Sequence, residues 1–250
     1  MSPIYTPGKV VLAKDYIPVD TDFNNVSLLL HGDGTNGSTT IIDSSPTTKT
    51  ATVIGDAQIS TAQSKFGGSS IVFDKVADRI TYASNNAFAF GTGDFTIEAW
   101  IYSRDVSGAS RGWLQTSTTS GGLQPSYSAG IAIWQGATGS GGVLSGGLCV
   151  AINGANYFGS TGSVLFTNQW QHIAVTRSGT TCRAFVDGVQ VGGRTSSADL
   201  TGSNLVVGGY YDTDFLFDGY IDDLRITKGV ARYTANFTPP TAPFPDIASR

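Results

Sequence analysis

The sequence predicts an all-β protein, and three observations support this prediction. Glycine occurs 32 times and proline 9 times in 250 residues, which suits many short strands joined by tight turns. Apolar residues alternate with others along segments such as residues 95–101. No segment carries a sustained apolar repeat of period 3.6, which a helical core would need. Because sandwiches often use this much chain as one unit, we expect a single domain.

The strand with the clearest alternation begins at Phe95. Its odd-numbered residues, from Phe95 to Ile101, are apolar and share one face, which we expect to point into the core. The even-numbered residues on the other face include Trp100 and Tyr102. Since that outer face is partly aromatic, we expect it to be either covered by another part of the chain or used in binding.

A β-hairpin is predicted at residues 184–191, where Asp187 and Gly188 stand between two apolar runs. In the strand before it, Ile173 and Val175 share one face. The side chains expected to point into the core from these strands and from the last strand are Phe95, Ile97, Ile173, Val175, Phe185, Leu224 and Ile226.

Both ends of the chain predict arms outside a core domain at residues 26–238. Residues 1–25 contain three prolines and no alternation, so we expect an extended arm that forms no sheet of its own. Ordering such an arm costs about 1–2 kcal/mol of backbone entropy per residue, so we expect a sizeable partner surface to anchor it. Residues 239–250 form a proline-rich tail, expected to run in a polyproline-like conformation along the domain or onto a neighbour.

Five separated segments carry a resemblance to a known family. They are Leu28–Ser38, Phe66–Ser70, Asp94–Ile101, Trp170–Arg177 and Gly219–Ile226. In this order they resemble the laminin-G-like, concanavalin-A-like family, over about residues 26–240. The resemblance implies a two-sheet antiparallel jelly-roll sandwich with the two arms outside it. Because lectins, glucanases, adhesion modules and bacteriophage virion proteins share this fold, it does not fix a function.

Two of the motifs are similar to domains of phage heads and tail fibres: Leu28–Ser38 and Ile226–Thr234. The resemblance therefore implies a non-enzymatic structural or decoration protein of a phage capsid surface or tail fibre. Residues 1–25 would attach it to other virion proteins, and we expect a homo-oligomer. The first residues lack the pattern of a secretory signal, so we expect synthesis in the host cytoplasm and a place on the virion surface. The alternative is an adhesin or receptor-binding module that recognises a host surface polysaccharide.

Residues 103–147 combine glycine pairs with large aromatic residues, which is unusual for a flexible linker. A loop that presents rings on a glycine-rich backbone is a candidate binding edge. The residues we predict to contact a glycan are Trp113, Tyr127, Trp134, Tyr210, Tyr211 and Asp212. The alternative is that the rings of this loop fill a small core beneath it.

The sequence does not favour an enzyme. Glucanases of this fold use two close glutamates, because glycosidic cleavage needs two carboxylates, and this chain has only Glu98. Asp222 and Asp223 are adjacent on a predicted strand, so we expect them to point to opposite faces. The two histidines, His31 and His172, stand in no nucleophile motif, and the predicted role of His172 is a structural hydrogen bond.

Calcium is the one cofactor that the resemblance suggests, because many members of the family hold this ion at the rim of the sandwich. The hard oxygen ligands that calcium prefers are available from the 18 aspartates. Our candidates are Asp33, Asp43 and Asp222. The alternative is that Asp33 and Asp43 order turns through hydrogen bonds from backbone N–H groups.

Charge and cysteine content limit the partners. A net charge of -4 and a pI near 5.0 argue against a nucleic-acid partner, which would need a basic surface. No polybasic or amphipathic helical segment favours a membrane surface. Cys149 and Cys182 are expected to be free thiols, because two cysteines do not make a disulfide framework.

Overall fold

The computed structural model describes residues 18–107, 110–117, 129–136, 146–154, 156–209 and 215–248. Two antiparallel sheets pack face to face, which confirms the predicted jelly-roll sandwich. The strands are β1 Val26–Leu30, β2 Thr52–Ile54, β3 Gln58–Ser60, β4 Ser70–Asp74, β5 Arg79–Tyr82, β6 Phe95–Ser103, β7 Arg111–Ser117, β8 Ile131–Gln135, β9 Leu148–Ile152, β10 Asn156–Gly159, β11 Trp170–Ser178, β12 Thr181–Val186, β13 Val189–Thr195, β14 Asn204–Val207 and β15 Asp218–Lys228. Short 3₁₀ turns span Phe23–Asn25 and Asn86–Phe88.

The two sheets have a simple order. The first runs β13-β12-β11-β6-β15-β4-β3, and β1 also pairs with β15. The second runs β10-β9-β8-β7-β14-β5-β2. Strands β11, β6 and β15, which carry three of the sequence motifs, are therefore neighbours in the centre of the first sheet. In the described part of the chain, no helix is long and apolar enough to span a membrane.

The core lies between the sheets and contains six of the seven predicted side chains. The prediction for the seventh side chain, Phe185, is wrong, because this side chain does not point into the core. Cys182, Ala184 and Val186 of β12 point into the core, so Phe185 points outward. It is nevertheless fully buried, because its ring packs against Phe237 at a centroid distance of 5.4 Å.

The predicted hairpin is confirmed, with its turn at Asp187 and Gly188. Both residues have positive φ, 49° and 78°, as the turn that suits the twist of two antiparallel strands requires. The Asp187 carboxylate also accepts a hydrogen bond of 2.8 Å from the backbone N–H of His172. The turn is thus tied to β11 as well as to its own hairpin.

The chain after β15 crosses the outer face of the first sheet. Phe244 is buried there, and its backbone N–H donates to Asp223 at 2.8 Å. This agrees with the prediction that the proline-rich tail runs along the domain. Residues 18–25, predicted as part of the N-terminal arm, lie beside it: Phe23 packs against Phe244, and Asp20 N–H donates to the Ile247 carbonyl at 2.9 Å. Residues 1–17 lie outside the described residues.

A β-bulge in β15 corrects the prediction for Asp222 and Asp223. The register against β6 shifts between Asp222 and Arg225, and Asp223 has a φ of 49°. Ile221 and Leu224 both point into the core, so the two aspartates between them both lie on the outer side of the sheet. Simple alternation fails here because one extra residue is accommodated in the strand.

Both cysteines are free. Cys182 is buried in the main core, and Cys149 lies in β9 against a small cluster on the other sheet. The prediction of two unpaired thiols is confirmed.

Candidate functional site

Three half-buried or nearly buried rings form a row across the outer face of the first sheet, here called the aromatic row: Trp170, Tyr102 and Tyr220. Trp170 and Tyr102 are direct cross-strand partners, as are Tyr102 and Tyr220. The ring centroids lie 5.5 Å and 5.6 Å apart along the row. Because three paired strands hold the rings, their spacing is fixed by the sheet.

The alternation of the strands explains why these rings point outward. Tyr102 follows Ile101 in β6, and Tyr220 precedes Ile221 in β15, and both isoleucines belong to the core. Trp170 and Tyr102 are half-buried, whereas Tyr220 is 9% exposed. The aromatic row therefore presents an apolar, partly solvent-accessible strip on a rigid support.

Cations border the aromatic row on both sides. On one side, the Lys65 ammonium lies 3.8 Å from the ring centroid of Trp100, which precedes Tyr102 by two residues on the same face. On the other side, the Arg104 guanidinium lies 5.5 Å from the ring centroid of Tyr220. Arg104 is paired with Asp218 at 2.6 Å, and Lys75 pairs with the same carboxylate at 2.7 Å.

The rest of this outer face is closed by a buried ionic network around Glu98. The Glu98 carboxylate accepts hydrogen bonds from Arg225 at 2.7 Å and from the Tyr233 hydroxyl at 2.8 Å. Burial alone would raise the pKa of Glu98, but the charge of Arg225, the neighbouring His172 and the hydrogen bond from Tyr233 lower it to about 2. Asp20 completes the network through Arg225, at 3.0 Å.

His172 lies against this network, but the structural hydrogen bond predicted for its side chain is not formed: neither ring nitrogen has a hydrogen-bond partner in the described part of the chain. Its Nε2 lies 3.4 Å from Glu98 Oε2, and the side chain is fully buried. Its ring is in edge contact with Trp100, at a centroid distance of 5.2 Å. Neither Glu98 nor His172 is accessible to a substrate.

Asp222 fixes the loop that carries Lys65. Asp222 is 1% exposed, and its Oδ2 accepts hydrogen bonds from the backbone N–H groups of Lys65 at 2.6 Å and Phe66 at 3.1 Å. Burial raises the pKa of Asp222, the two N–H groups oppose this, and the nearby carboxylates of Asp223 and Asp33 add to it, giving about 7. The position of Lys65 beside Trp100 thus depends on a carboxylate that titrates near neutral pH.

The structure does not bring the three predicted calcium ligands together. Asp43 accepts hydrogen bonds from three backbone N–H groups, those of Leu29, Ser45 and Lys49, at 2.8–3.1 Å. Asp222 is engaged by the Lys65–Phe66 loop, and Asp33 is exposed against Gly67. Such hydrogen bonds from backbone N–H groups are what the turn-ordering alternative predicts for Asp43.

Another acidic cluster brings ligand atoms closer together. Carboxylate oxygens of Asp56, Asp74 and Asp78 lie within 4.8 Å of one another, and this is the only such group in the part of the chain that the structure describes. Burial raises the pKa of Asp78 to about 6, even though backbone N–H groups of Asp74 and Asp56 donate to its carboxylate. This cluster could hold a metal ion.

Of the predicted glycan-contacting residues, the two that the structure describes lie on the second sheet, away from the aromatic row. Trp113 is 3% exposed and points into the main core. Trp134 is 5% exposed on the other sheet, in edge contact with Tyr157 at a centroid distance of 6.1 Å. Neither tryptophan offers an open ring face, which fits the alternative of rings that fill a core. Tyr127, Tyr210, Tyr211 and Asp212 lie outside the described residues.

Comparison with known proteins identifies the family. The family model described as the concanavalin A-like lectin/glucanases superfamily (Laminin_G_3) matches residues 74–232. The chain belongs to this superfamily. No curated protein matches the sequence significantly.

Solved structures similar to this concanavalin A-like chain include several binding domains. Domain 4 of AbnA, a GH43 extracellular arabinanase from Geobacillus stearothermophilus, solved in complex with arabinotriose, has 17% identity and a TM-score of 0.59, covering 83% of this chain and 94% of that one. The binding domain of Paraclostridial Mosquitocidal Protein 1 has 15% identity and a TM-score of 0.58, with coverage of 83% and 50%. The binding domain of botulinum neurotoxin DC, in complex with SialylT, has 12% identity and a TM-score of 0.53, with coverage of 83% and 49%. The chain thus spans about half the length of these toxin domains, and likeness at such identities shows the fold alone.

Sequence reasoning missed most of the site on this concanavalin A-like domain. Alternation along β6 predicted that Tyr102 faces outward, but Trp170 and Tyr220 are 68 and 118 positions away in the sequence. Only the cross-strand register places the three rings side by side. The one sequence signal for the site is the aromatic outer face of β6, which the alternation predicts to be either covered or used in binding.

Proposed function

We propose that this protein is a non-enzymatic carbohydrate-binding module whose saccharide lies along the aromatic row. The observation that carries the proposal is the side-by-side placement of Trp170, Tyr102 and Tyr220 on adjacent strands, with centroid spacings of 5.5 Å and 5.6 Å and ring planes tilted by 60° and 82°. Apolar ring surfaces flanked by a few polar and charged groups are typical of ligand sites. Because the sheet fixes the rings beforehand, little conformational entropy is lost on binding.

The carboxylates on this face of the sheet do not support glycoside hydrolysis. Glycoside hydrolysis needs two of them on either side of the scissile bond. Glu98 is fully buried beneath Arg225 and Tyr233, and Asp222 and Asp223 are each 1% exposed. None of these three can flank a bound sugar. The similar structures named as binding domains also support a binding role.

The test is a binding comparison on a glycan array. We expect the Trp170→Ala and Tyr102→Ala variants to lose at least tenfold in affinity for any glycan that the wild type binds, since each removes a ring that stacks on the sugar. Tyr157→Ala is the matched control, because Tyr157 is a half-buried aromatic residue on the other sheet. Loss of binding in Tyr157→Ala alone would move the site to the other sheet. A wild type that binds no glycan would refute the function.

A calcium ion, which the family resemblance suggests, would be held by Asp56, Asp74 and Asp78, because they supply hard oxygen ligands at one place. The sequence-predicted ligands Asp33, Asp43 and Asp222 form no such close group in the part of the chain that the structure describes. Calcium bound only by the native state would raise the melting temperature. We expect added calcium to raise the melting temperature of the wild type but not that of the Asp78→Asn variant.

Attachment to a phage particle through the N-terminal arm is the setting we propose for this module, and it rests on the sequence resemblance. Residues 18–25 pack on the domain itself, so we restrict the proposed anchor to residues 1–17. A chain that lacks residues 2–17 should bind glycan as the full chain does but fail to join particles. Normal incorporation of the shortened chain would contradict the proposed anchor.

A further inference from the structure

The charge at the border of the aromatic row points to the class of saccharide, an inference that rests on the proposed function. Arg104 and Lys75 share one carboxylate, that of Asp218, so each is already engaged. Next to Asp218 stands its cross-strand partner Asp74, a member of the acidic cluster. Positive charge on this side of the row is therefore largely compensated.

Lys65 on the other side differs from these cations. Its ammonium group forms no ion pair with a carboxylate in the described part of the chain, and it lies 3.8 Å from the Trp100 centroid and 5.8 Å from that of Phe66. Asp222 is turned to the backbone of the loop, where its Oδ2 accepts a hydrogen bond from Lys65 N–H. Lys65 is half-buried, and its ammonium thus has an aromatic neighbour and no carboxylate within ion-pair distance in the described part of the chain.

The backbone around Lys65 is also well fixed. The hydrogen bonds from Lys65 N–H and Phe66 N–H to Asp222 hold the loop against β15, and the Phe66 ring makes an edge contact with Trp100 at 6.0 Å. With this backbone fixed, only the side-chain torsions of Lys65 remain to be ordered when its ammonium meets an anion. Charge-assisted hydrogen bonds of this kind are about twice as strong as neutral ones.

We propose that the saccharide bound along the aromatic row is acidic, and that Lys65 binds a carboxylate of a uronic or other acidic sugar. The rings supply stacking, as they would for a neutral sugar, and Lys65 supplies the selection for charge. The ligand class follows from charge complementarity, because a free cation next to a stacking surface discriminates in favour of an anionic ring substituent.

The experiment compares polygalacturonate with its carboxyl-reduced form, using the full chain. We expect the wild type to bind the acidic polymer about tenfold more tightly, in line with one charge-assisted hydrogen bond. Lys65→Gln should lose this preference and retain its affinity for the reduced polymer, while Lys65→Arg should keep the preference. Lys75→Gln is the matched control, since Lys75 is already paired, and it should resemble the wild type.

The outcomes separate this inference from the proposed function. Equal binding of both polymers by the wild type, unchanged in Lys65→Gln, would leave the carbohydrate function standing and overturn the acidic-sugar inference. Equal affinity for dextran sulfate and polygalacturonate would also overturn the assignment to a carboxylate. Loss of binding to both polymers in Lys65→Gln, with an unchanged melting temperature, would show a general contact rather than charge selection. Binding of no polymer by the wild type would refute the function itself.

Discussion

Replacing Glu98 by glutamine should show how much the buried ionic network contributes to stability. The substitution keeps the size of the side chain but removes the charge that Arg225 contacts at 2.7 Å and 3.0 Å. Arg225 is then left buried with Asp20 as its remaining carboxylate partner, at 3.0 Å. Because Glu98 is fully enclosed, solvent does not compensate for the lost charge.

The typical cost of breaking a buried ion pair and the lowered pKa of Glu98 give similar values for the stability lost in Glu98→Gln. Removing one partner of a buried ion pair typically costs about 3–5 kcal/mol. The pKa of Glu98 is lowered from 4.5 to about 2, and at about 1.4 kcal/mol per pKa unit this corresponds to about 3 kcal/mol of stabilisation by the ionised form. Since the folded-state pKa lies below the ordinary value, this stability is present above pH 4.5 and is lost as the pH falls towards 2.

Urea unfolding at pH 7 and at pH 2.5 measures both effects. We expect Glu98→Gln to be less stable than the wild type by about 3 kcal/mol at pH 7 and by much less at pH 2.5, where the carboxyl is almost fully protonated in the unfolded state and the pH is close to the folded-state pKa of about 2. Asp199→Asn, at an exposed carboxylate, is the control and should change stability by less than about 0.5 kcal/mol. A difference below about 1 kcal/mol at pH 7, or one that does not shrink in acid, would refute the reasoning.

Three further perturbations have defined outcomes. The pKa of Asp222 is raised from 3.8 to about 7, so the stability that its protonated form contributes is lost as the pH rises through this window. Asp222→Asn should therefore flatten the pH dependence of the unfolding free energy between pH 4 and pH 7. An unchanged slope would contradict the raised pKa of Asp222. A Cβ on Gly188 would lie 1.9 Å from the Phe237 carbonyl oxygen, whereas a Cβ on Gly179 would meet no atom within 4 Å, and φ is positive at both glycines. Gly188→Ala should therefore lower the melting temperature clearly more than Gly179→Ala does. A chain without residues 2–22 loses Asp20 and should melt below one without residues 2–17; equal melting temperatures would show that Asp20 contributes little.

The sequence predicted the core more completely than the outer faces, for a physical reason. Alternation reports which side chains leave water together, and it placed Phe95, Ile97 and Ile173 correctly. It failed at Phe185 because the small residues of β12 fill the core while the C-terminal segment covers the larger ring. Burial by a distant segment has no signature in the local pattern.

The candidate site was less predictable, because it depends on register and on a bulge. Nothing local to Tyr220 shows that it stands beside Tyr102, since the pairing is set by the whole length of β15 against β6. The shared outer side of Asp222 and Asp223 depends on one residue with positive φ in the strand. Lys65 belongs to a loop, and it is placed beside Trp100 by the hydrogen bonds of the Lys65 and Phe66 N–H groups to Asp222.

The contact between residues 18–25 and the C-terminal segment on one face of the sheet has a mechanical consequence. The first and last strands, β1 and β15, are antiparallel neighbours with Val26 opposite Thr227, and just outside them Asp20 is bonded to the Ile247 carbonyl. A tension applied to the two ends would therefore open these bonds one after another, as a zipper opens, instead of shearing many at once. The ion pairs of Asp20 with Arg225 and Arg232 would bear the first part of that tension. The rest of the sandwich would remain intact until they break.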